Sequence, residues 1–461
     1  MTTLLWFRND LRLSDNSALT AACQASDDVI PVFIFDESPK RSYGAAQRWW
    51  LYHSLKSLDA SLRKKRVNIL FCKGKAEQKL QEIIKKYKVN NLYFNRSFEP
   101  DLNQRDQSIT KRFSKLGVEV KQFSDYLLID PDKIKNKSGE YFKVYTPYSR
   151  AIFSSVEARK PLPIPKISQK TKVITEEIEA WGLLPTKPDW SVNFEWQPGE
   201  THAQNTLVNF LESDLKSYKD DRDRPDFSGT SRLSPYLHFG EISINHVWYA
   251  VLQEKYRNPS IEASAEVYLK QLVWREFSYY LLHYFPLLPY KNYRSAFDRF
   301  SWESNQACLA AWKSGETGFP IVDAGMRELW QSGYMHNRVR MIVASFLTKD
   351  LLIDWREGES WFWDTLVDAD LANNAAGWQW VAGSGADAAP YFRIFNPFLQ
   401  SKKFDPDGVY IRRWLPELKD MPNKYIHNPA ESPIDVVGYP KPIIDHGVAR
   451  KKALALYKGI K

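Results

Sequence analysis

The sequence predicts an α/β domain with a parallel sheet in its N-terminal part and an all-α domain in its C-terminal half, joined by a long connector. Two observations predict this organisation. Short β-rich runs alternate with amphipathic stretches in the first 128 residues, whereas apolar residues recur with a helical period of about 3.6 beyond residue 200. We therefore expect an α/β domain over 1–128, a connector over 129–200 and a helical domain over 201–461.

The N-terminal alternation is regular enough to predict the kind of sheet. Its β-rich runs cover 4–7, 29–35, 67–71, 91–94 and 118–123, and amphipathic stretches such as 45–63 and 77–87 lie between them. Strands that alternate with helices form parallel sheets covered by those helices, so we expect a Rossmann-like arrangement. The chain has neither Gly-x-Gly-x-x-Gly nor Gly-x4-Gly-Lys-Ser/Thr, so this domain's ligand stays open.

The middle of the chain breaks this pattern. Residues 129–200 are rich in Pro, Lys and Ser and have few periodic segments, which is typical of a connector on the protein surface. Periodic apolar faces then return at 203–216, 244–255, 261–284, 321–332, 339–349 and 359–367. These stretches predict a mostly helical second half.

Composition excludes several classes of protein. With 43% apolar and 26% charged residues, the 461-residue chain has the balance of a folded, soluble protein. It has no run of roughly 18 apolar residues for a membrane helix, and its start is too short and too charged for a secretory signal. Three unpaired cysteines suit a reducing compartment, and eight scattered histidines lack the His-x-x-x-His spacing, so we expect no metal.

The charge of the chain bears on its partners. A net charge of +9 favours a polyanionic partner, because Lys and Arg that neutralise phosphates release counterions, although an ordinary soluble surface is the alternative. Lysines crowd the first 190 residues, whereas arginines lie closer to aromatic residues in the second half. The second half is therefore the part we expect to face nucleic acid.

Three segments of the helical half carry polar groups that need partners. Gly-Thr-Ser-Arg-Leu-Ser-Pro at 229–235 predicts a helix with Ser234 as N-cap, which could bind phosphate or be a plain capped helix. Arg275 and Glu276 lie in a long apolar helix and must be hydrogen-bonded if buried. Arg340 is expected to meet Asp368 or Asp370.

Aromatic residues are used heavily. The chain has 17 tryptophans, and Trp378 and Trp380 flank one glutamine. Side chains two positions apart project in different directions, so at least one indole is expected to face something other than the ordinary interior. Asn337 and Met341 lie four apart on one helix face, where the methionine is either core or the wall of a base-sized slot.

Taken together, these motifs resemble the photolyase/cryptochrome family, and within it most closely the microbial cyclobutane pyrimidine dimer (CPD) DNA photolyases. They occur in family order over nearly the whole chain. They are Trp-Phe-Arg-x-Asp-Leu-Arg-Leu-x-Asp-Asn at 6–16, Gly-Thr-Ser-Arg-Leu-Ser-Pro-Tyr-Leu at 229–237, Trp-Arg-Glu-Phe at 274–277, Thr-Gly-Phe-Pro-Ile-Val-Asp-Ala-Gly-Met-Arg at 317–327, Met-His-Asn-Arg-x-Arg-Met at 335–341, Asp-Trp-Arg-Glu-Gly-Glu at 354–359, Gly-Trp-Gln-Trp at 377–380 and Tyr-Phe-Arg-Ile-Phe-Asn-Pro at 391–397.

The resemblance implies light-driven repair of pyrimidine dimers in DNA. An electron would pass from excited reduced FAD to a flipped-out dimer and return after the ring bonds split. The resemblance also implies a monomer that works on damaged DNA in the bacterial cytoplasm, with the nucleoid. A cryptochrome-like blue-light photoreceptor, a photolyase for 6-4 photoproducts, and a plain flavin electron carrier or DNA-binding protein without photochemistry stay open as alternatives.

The resemblance implies that FAD is bound in the helical domain. Its phosphates would lie against Thr230, Ser231, Leu233 and Ser234, with Tyr218 nearby. Its isoalloxazine and sugar would be surrounded by Arg275, Asn337, Arg340, Asp368 and Asp370, and Tyr268 and Gln271 are also implied in FAD binding. Asn374 would face flavin N5, where an aspartate is typical of plant cryptochromes, so this asparagine favours repair.

The resemblance also assigns a lesion site. Trp274 and Trp380 would stack on the joined pyrimidines, and Asn337 and Met341 would complete the slot. The residues implied to hold DNA phosphates are Arg222, Arg338 and Arg393.

One position of the lesion site departs from the family pattern. Gln271 stands where CPD photolyases usually carry a glutamate, and glutamine cannot deliver a proton, so we expect slower repair. The 6-4 photolyases share this feature but usually have His-His where this chain has His336-Asn337, which keeps the dimer as the expected substrate. Tyr268 also stands where the family often has tryptophan.

Two further roles follow from the resemblance. Trp302, Trp355 and Trp378 match the family's electron-transfer chain to the flavin, although each alone could be core. The N-terminal domain would hold an antenna chromophore, for which a folate (5,10-methenyltetrahydrofolate) is favoured over a deazaflavin because Glu99 stands where folate binders place a carboxylate.

Overall fold

The structure, a computed structural model, describes residues 1–387, 392–433 and 436–460. The chain divides into two units that are each made of several segments. The first unit contains Met1–Asp189, Trp196–Lys216 and Ser231–Pro286, and the second contains Trp190–Glu195, Ser217–Thr230 and Leu287–Lys461. This division by contacts does not follow the ranges expected from the sequence, and those ranges stay a prediction about sequence domains.

The first unit contains the predicted parallel sheet. Its strands are β1 (Thr3–Phe7), β2 (Val29–Phe35), β3 (Leu70–Lys73), β4 (Asn91–Asn95) and β5 (Glu119–Phe123), in the order β3-β2-β1-β4-β5. Each neighbouring pair is parallel, and β1 pairs with β2 on one side and with β4 on the other. The helices between the strands are α1 (Ser17–Ala25), α2 (Ala45–Arg63), α3 (Ala76–Tyr87) and α4 (Pro100–Lys115).

Burial of the strands explains why their sequences are mostly apolar. All residues of β1, β2 and β4 are buried, and Leu4, Ile30 and Leu92 pack in one core cluster with helix residues such as Leu80 and Phe113. Strands buried on both faces need apolar side chains at every position rather than at alternate ones. Each large apolar side chain so buried stabilises the fold by about 1.5–3 kcal/mol. The edge strand β5 is more polar, which protects it from pairing with other chains.

The remaining helices complete both units. In chain order they are α5 (Tyr145–Ser155), α6 (Glu200–Asn209), α7 (Tyr218–Asp221), α8 (Ser234–His238), α9 (Ile244–Arg257), α10 (Glu262–Tyr284), α11 (Gln306–Ser314), α12 (Pro320–Ser332), α13 (Asn337–Ser345), α14 (Trp355–Thr365), α15 (Leu371–Ala382), α16 (Pro397–Phe404), α17 (Val409–Trp414) and α18 (His446–Gly459). The predicted helical character of the second half is confirmed.

Helix α5 lies inside the range predicted as a connector. Its buried Tyr148 packs against Phe277 and Tyr280 of α10, with ring centroids 5.0 and 4.7 Å apart. The first unit thus includes helices α5, α9 and α10 as well as the sheet. Gly240, which follows α8, has a φ of +66°, and a Cβ there would lie 2.0 Å from the carbonyl oxygen of Asn9, so only glycine fits this approach of α8 to the loop after β1.

The core of the second unit is rich in large aromatic residues. Trp312, Trp355 and Trp378 belong to one buried cluster, and the Trp312 indole donates a hydrogen bond of 3.1 Å to the Val343 carbonyl. Helices α14 and α15 pack against each other around this cluster.

The part of the chain that the structure describes contains neither a membrane-spanning helix nor a cluster of metal ligands. No helix there combines the length and the apolar character needed to cross a membrane. Within the same residues, His, Cys, Asp and Glu side chains form no group of three or more that could hold a metal ion.

Candidate functional site

An arginine–aspartate pair lies at the centre of the polar groups in the second unit. Arg340 Nη2 is 2.9 Å from Asp368 Oδ2, and Arg340 Nε donates to the Met335 carbonyl at 2.7 Å. The predicted partner of Arg340 is thus Asp368. Burial lowers the pKa of Arg340, but the charge and hydrogen bond of Asp368 and the charges of Tyr334 and Glu328 together raise it above its ordinary value, so the guanidinium stays a fixed cation.

Helix α15 begins with side chains that hold one another in place. Asp370 is its N-cap and accepts hydrogen bonds of 2.8 Å from both the backbone and the side-chain amide of Asn373. Asn374 donates its side-chain amide to the carbonyl and the carboxylate of Glu359 on α14, at 2.9 and 2.8 Å. Because the amide nitrogen is held by Glu359, the Asn374 carbonyl oxygen points away from that residue.

The start of α13 gathers the second group of predicted residues. Asn337 is exposed at its first position, and Arg338 donates to the Met341 sulfur at 3.7 Å. Arg338 also pairs with Asp223 at 2.8 Å, and Arg222 lies 3.7 Å from the other oxygen of Asp223. The structure therefore brings both arginines to Asp223, a residue that the sequence motifs did not single out.

Tyr218 and Thr230 are predicted residues of the same chain segment as Arg222, residues 217–230. The Arg222 guanidinium lies 5.7 Å from the ring centroid of Tyr218, whose burial raises its pKa to about 12. Thr230 is half-buried at the end of the short segment that belongs to the second unit.

The predicted electron-transfer tryptophans share one hydrophobic cluster. Trp355 and Trp378 are buried in it, and the partly buried Trp302 packs against it. Trp355 donates its indole N–H to Asn292 at 2.9 Å, and Trp378 meets Phe362 edge-on at 5.0 Å. The structure therefore keeps all three as members of one packed group.

Trp380 and Arg393 line a common cavity. The other lining residues are Arg294, Ser345, Lys349, Val381, Gly383, Phe392, Phe395 and Tyr457. Lys349 is nearly fully buried, its ammonium lies 3.3 Å from the Phe392 ring centroid, and burial lowers its pKa well below the usual value. Sequence motifs did not indicate this lysine. Tyr391, the first residue of the last motif, lies outside the described residues.

The remaining predicted residues lie in the first unit. Tyr268 donates its hydroxyl to Ser231 at 3.1 Å, and Ser231 in turn accepts the backbone N–H of Leu233 at 3.4 Å. The prediction that Ser234 is the N-cap of the next helix is wrong by one residue. Leu233 is the N-cap, because its carbonyl accepts the N–H of Leu237, and Ser234 is the first residue of α8.

Helix α10 carries four of the predicted residues. Arg275 donates to the Tyr126 carbonyl at 3.0 Å and pairs with Glu276 at 3.3 Å. Glu276 also accepts the Leu128 N–H at 2.8 Å, and burial raises its pKa to about 7. The expected hydrogen bonds of this Arg–Glu pair are confirmed.

Two half-buried residues of α10 have local partners. Gln271 donates to the Val267 carbonyl at 3.5 Å, within its own helix. Trp274 lies parallel to Tyr145 of α5, with ring centroids 3.6 Å apart.

A cleft opens at the carboxyl ends of β1 and β4. Its lining residues, which include Glu99, are Arg8, Asn9, Asp10, Arg12, Asn95, Arg96, Ser97, Phe98, Glu99, Leu102, Asp125, Tyr126 and Tyr279. The chain continues from β1 to β2 on one side and from β4 to β5 on the other, and parallel sheets bind ligands at such a switch point. Arg8 Nε and Nη2 and Asn95 Oδ1 are buried here without a hydrogen-bond partner among the described residues.

Comparison with known proteins decides the family. Residues 3–166 match a family described as DNA photolyase, and residues 268–459 match one described as FAD binding domain of DNA photolyase. A protein of Agrobacterium fabrum named deoxyribodipyrimidine photo-lyase is 49% identical over 99% of this chain and 98% of its own length.

The chain belongs to the photolyase/cryptochrome family.

Solved structures of this family show the same fold. A bacterial class III photolyase from Agrobacterium tumefaciens has a TM-score of 0.95 and 48% identity, covering 100% of this chain and 97% of that one. A cryptochrome from Synechocystis has a TM-score of 0.89 and 29% identity, with 99% of both chains covered. Both branches of the photolyase/cryptochrome family are thus represented among the similar structures.

Proposed function

We propose that this protein is a deoxyribodipyrimidine photo-lyase, an enzyme that uses light to split cyclobutane pyrimidine dimers in DNA. The observation that carries the proposal is the nearly full-length relationship to the Agrobacterium fabrum protein of that name. The arrangement of Asn374, Arg340 and Asp368 in the second unit supports it, because it supplies a fixed cation and a neutral amide.

The cofactor of this reaction is FAD, and the residues present have the chemistry to hold it. Reduced FAD, excited by light, supplies the electron that opens the dimer. Arg340, kept charged by Asp368, stabilises negative charge at the flavin ring, and the Asn374 amide offers a hydrogen bond without an acidic proton. The other residues proposed to bind FAD from the family resemblance are Tyr218, Thr230, Ser231, Leu233, Ser234, Tyr268, Gln271, Arg275, Asn337 and Asp370.

The substrate is proposed to be a dimer turned out of the double helix. Turning it out costs a few kcal/mol, and a dimer that already distorts base stacking lowers that cost. Stacking on Trp274 and Trp380 would return about 1–3 kcal/mol per base, and Asn337 and Met341 would complete the slot. Arg222, Arg338 and Arg393 would bind phosphates and carry little sequence information.

Light-dependent repair of a thymine dimer in a short duplex tests this function. The flavin is reduced beforehand, and an identical sample is kept in the dark. We expect loss of the dimer only under near-UV or blue light. Dark loss, or no loss despite bound reduced FAD and measurable DNA affinity, would contradict the proposal.

Two alternatives are separated by parallel arms of that assay. Gln271 is shared with 6-4 photolyases, so a duplex with a 6-4 photoproduct is tested beside the dimer duplex. The structural similarity to the Synechocystis cryptochrome makes a blue-light photoreceptor the second alternative. Repair of the 6-4 product alone would favour the first alternative, and repair of neither lesion would favour the second.

We propose that the cleft at the ends of β1 and β4 binds the antenna chromophore. The unpartnered polar atoms of Arg8 and Asn95 offer hydrogen bonds to a polar ring, and the Glu99 carboxylate suits the N–H groups of 5,10-methenyltetrahydrofolate better than a deazaflavin. Adding each chromophore to protein that holds FAD tests this. Only the folate should give a bound absorption band, and Glu99→Gln should weaken it.

Further roles are proposed from the family. Trp378, Trp355 and Trp302 would carry electrons from the surface to oxidised flavin, so replacing any one by phenylalanine should slow photoreduction without lowering FAD content. The protein is proposed to be a metal-free monomer in the bacterial cytoplasm with the nucleoid, which light scattering, metal analysis and cell fractionation would check.

A further inference from the structure

Two aromatic rings of the first unit are stacked face to face. Tyr145, the first residue of α5, lies parallel to Trp274 of α10, with ring centroids 3.6 Å apart and planes tilted by 2°. Each side chain is half-buried. Aromatic pairs usually adopt offset or edge-on geometries. A face-to-face pair this close must therefore be held in place by the contacts around it.

The tyrosine ring is fixed at both of its ends. Its backbone begins α5, and its hydroxyl donates a hydrogen bond of 2.8 Å to the Lys270 carbonyl, one turn before Trp274 on α10. Phe277 meets both rings edge-on, at 5.9 Å from Tyr145 and 6.0 Å from Trp274. Tyr145 is therefore attached to the same helix as the indole that it covers.

This stack decides which face of Trp274 is left for a ligand. A base can insert between two rings only if their centroids lie about twice as far apart as those of a directly stacked pair. The separation of 3.6 Å between Tyr145 and Trp274 leaves no room for it. Phe277 lies at nearly the same distance from both stacked rings, 5.9 and 6.0 Å, so it lies beside the stack and does not cover a face of the indole. A base that stacks on Trp274 must approach the face opposite Tyr145.

We propose that Tyr145 is a positioning residue for lesion binding. It closes one face of Trp274 and holds the indole plane, so that a flipped pyrimidine dimer stacks on the other face. The inference rests on the proposed role of Trp274 in binding the dimer. Because the indole ring is already held before DNA binds, binding does not carry the conformational entropy cost of ordering that ring.

Affinity for damaged DNA tests the inference. Dissociation constants for a dimer duplex and for the same undamaged duplex are measured with FAD-loaded Tyr145→Leu and Tyr145→Phe. Tyr145→Leu removes the flat ring, and we expect dimer affinity to fall about two- to twelve-fold, as for a lost aromatic pair. Affinity for undamaged DNA should stay within about two-fold of the parent protein, since phosphate contacts set non-specific affinity.

Tyr145→Phe keeps the ring and removes the hydrogen bond to Lys270. We expect it to keep nearly all of the dimer preference. An equal loss in this variant would overturn the inference, because the hydroxyl and not the stacked ring would then be responsible. If Tyr145→Leu fails to fold, a loss of dimer preference in Tyr145→Phe would still overturn the inference.

Tyr141→Leu is the matched control. Tyr141 stacks on Tyr284 of α10 at 5.0 Å, so its loss removes a similar contact away from Trp274. Dimer preference should be unchanged in Tyr141→Leu and reduced in Tyr145→Leu. Equal reduction in both would overturn the inference, since general packing against α10 would explain it.

Trp274→Ala separates this inference from the proposed function. If Trp274→Ala keeps the dimer preference, the proposed lesion role of Trp274 is wrong. If Trp274→Ala loses the preference and Tyr145→Leu keeps it, the lesion role stands and only the role of Tyr145 is overturned.

Discussion

At the scale of single residues, buried acids of the first unit link its stability to pH. Glu241 is fully buried and accepts the Trp50 indole N–H at 3.0 Å. Burial raises the pKa of Glu241 from its ordinary 4.5 to about 8, and the Glu200 charge adds to this. The folded chain thus keeps a proton that the unfolded chain has already released at neutral pH.

The sign of the pH dependence follows from this difference. Between pH 4.5 and about 8 the folded state binds more protons than the unfolded state, so stability falls as pH rises. We expect a loss of a few kcal/mol across this window, at roughly 1.4 kcal/mol per pKa unit. Glu241→Gln should make the melting temperature depend less on pH between pH 5 and 9, and should raise the melting temperature at pH 9. A pH slope equal to that of the parent protein would contradict this assignment.

Gln271 gives a second prediction at this scale. Gln271→Glu should raise the repair yield, because a glutamate can share a proton with the lesion, and Arg275 one turn later can stabilise its charge. The measurement is the quantum yield of dimer repair with fully reduced FAD. Gln271→Leu, which removes the polar group, is the control for packing. An unchanged or lower yield in Gln271→Glu would contradict the hypothesis that Gln271 slows repair because it cannot share a proton with the lesion.

At the scale of elements, the contact between α14 and α15 depends on one glycine. A Cβ at Gly358 would lie 2.1 Å from Cη2 of Trp378. Gly358→Ala should therefore destabilise the protein by about 1–3 kcal/mol, as overpacking does, and should slow flavin photoreduction by displacing the indole. Thermal unfolding and photoreduction rates would check this.

Gly377 on α15 is the control for that substitution. A Cβ there meets nothing within 4 Å, so Gly377→Ala should stabilise the helix by about 0.5–1 kcal/mol through its better helical propensity. Equal destabilisation by both alanines would show that steric contact with Trp378 is not the cause.

The start of α13 and the segment after α7 are joined through Asp223. The Asp223 carboxylate pairs with Arg338 and lies near Arg222. DNA phosphates must therefore compete with it for these two arginines. Asp223→Asn should raise the affinity for damaged and undamaged DNA alike, by about two- to five-fold at low salt, the range of an exposed ion pair. Asp59→Asn on α2 makes the same change in net charge, and an equal gain there would assign the effect to net charge alone.

At the scale of the whole molecule, the sequence predicted what depends on local patterns. The parallel sheet was predictable because its buried strands are mostly apolar, and the Arg340–Asp368 pair because both charges needed partners in an apolar helical half. Helix α5 was missed, since the closest ring contacts of Tyr148 are with α10, more than a hundred residues later.

The parts of the site that escaped prediction are contacts between distant segments. Glu359 holds Asn374 across two helices, and Asp223 meets Arg338 from far along the chain. Lys349 lies inside a helical run where a lysine suggests an exposed face, yet the structure buries it over Phe392. The capping error at Ser234 arose because a serine before proline is the stronger local signal, whereas the hydrogen bond from Leu237 places the cap at Leu233.

The interleaved order of the two units has a consequence for synthesis on the ribosome. The last strand of the sheet ends at Phe123, but the first unit is complete only when Pro286 has been made. At about 5–20 residues per second, that interval lasts roughly 8–33 s. Until residues 236–241 have been made, the indole of Trp50 on α2 lacks Tyr236, Phe239 and Glu241, its partners in the finished protein. The nascent chain therefore exposes an apolar surface that chaperones would be expected to cover.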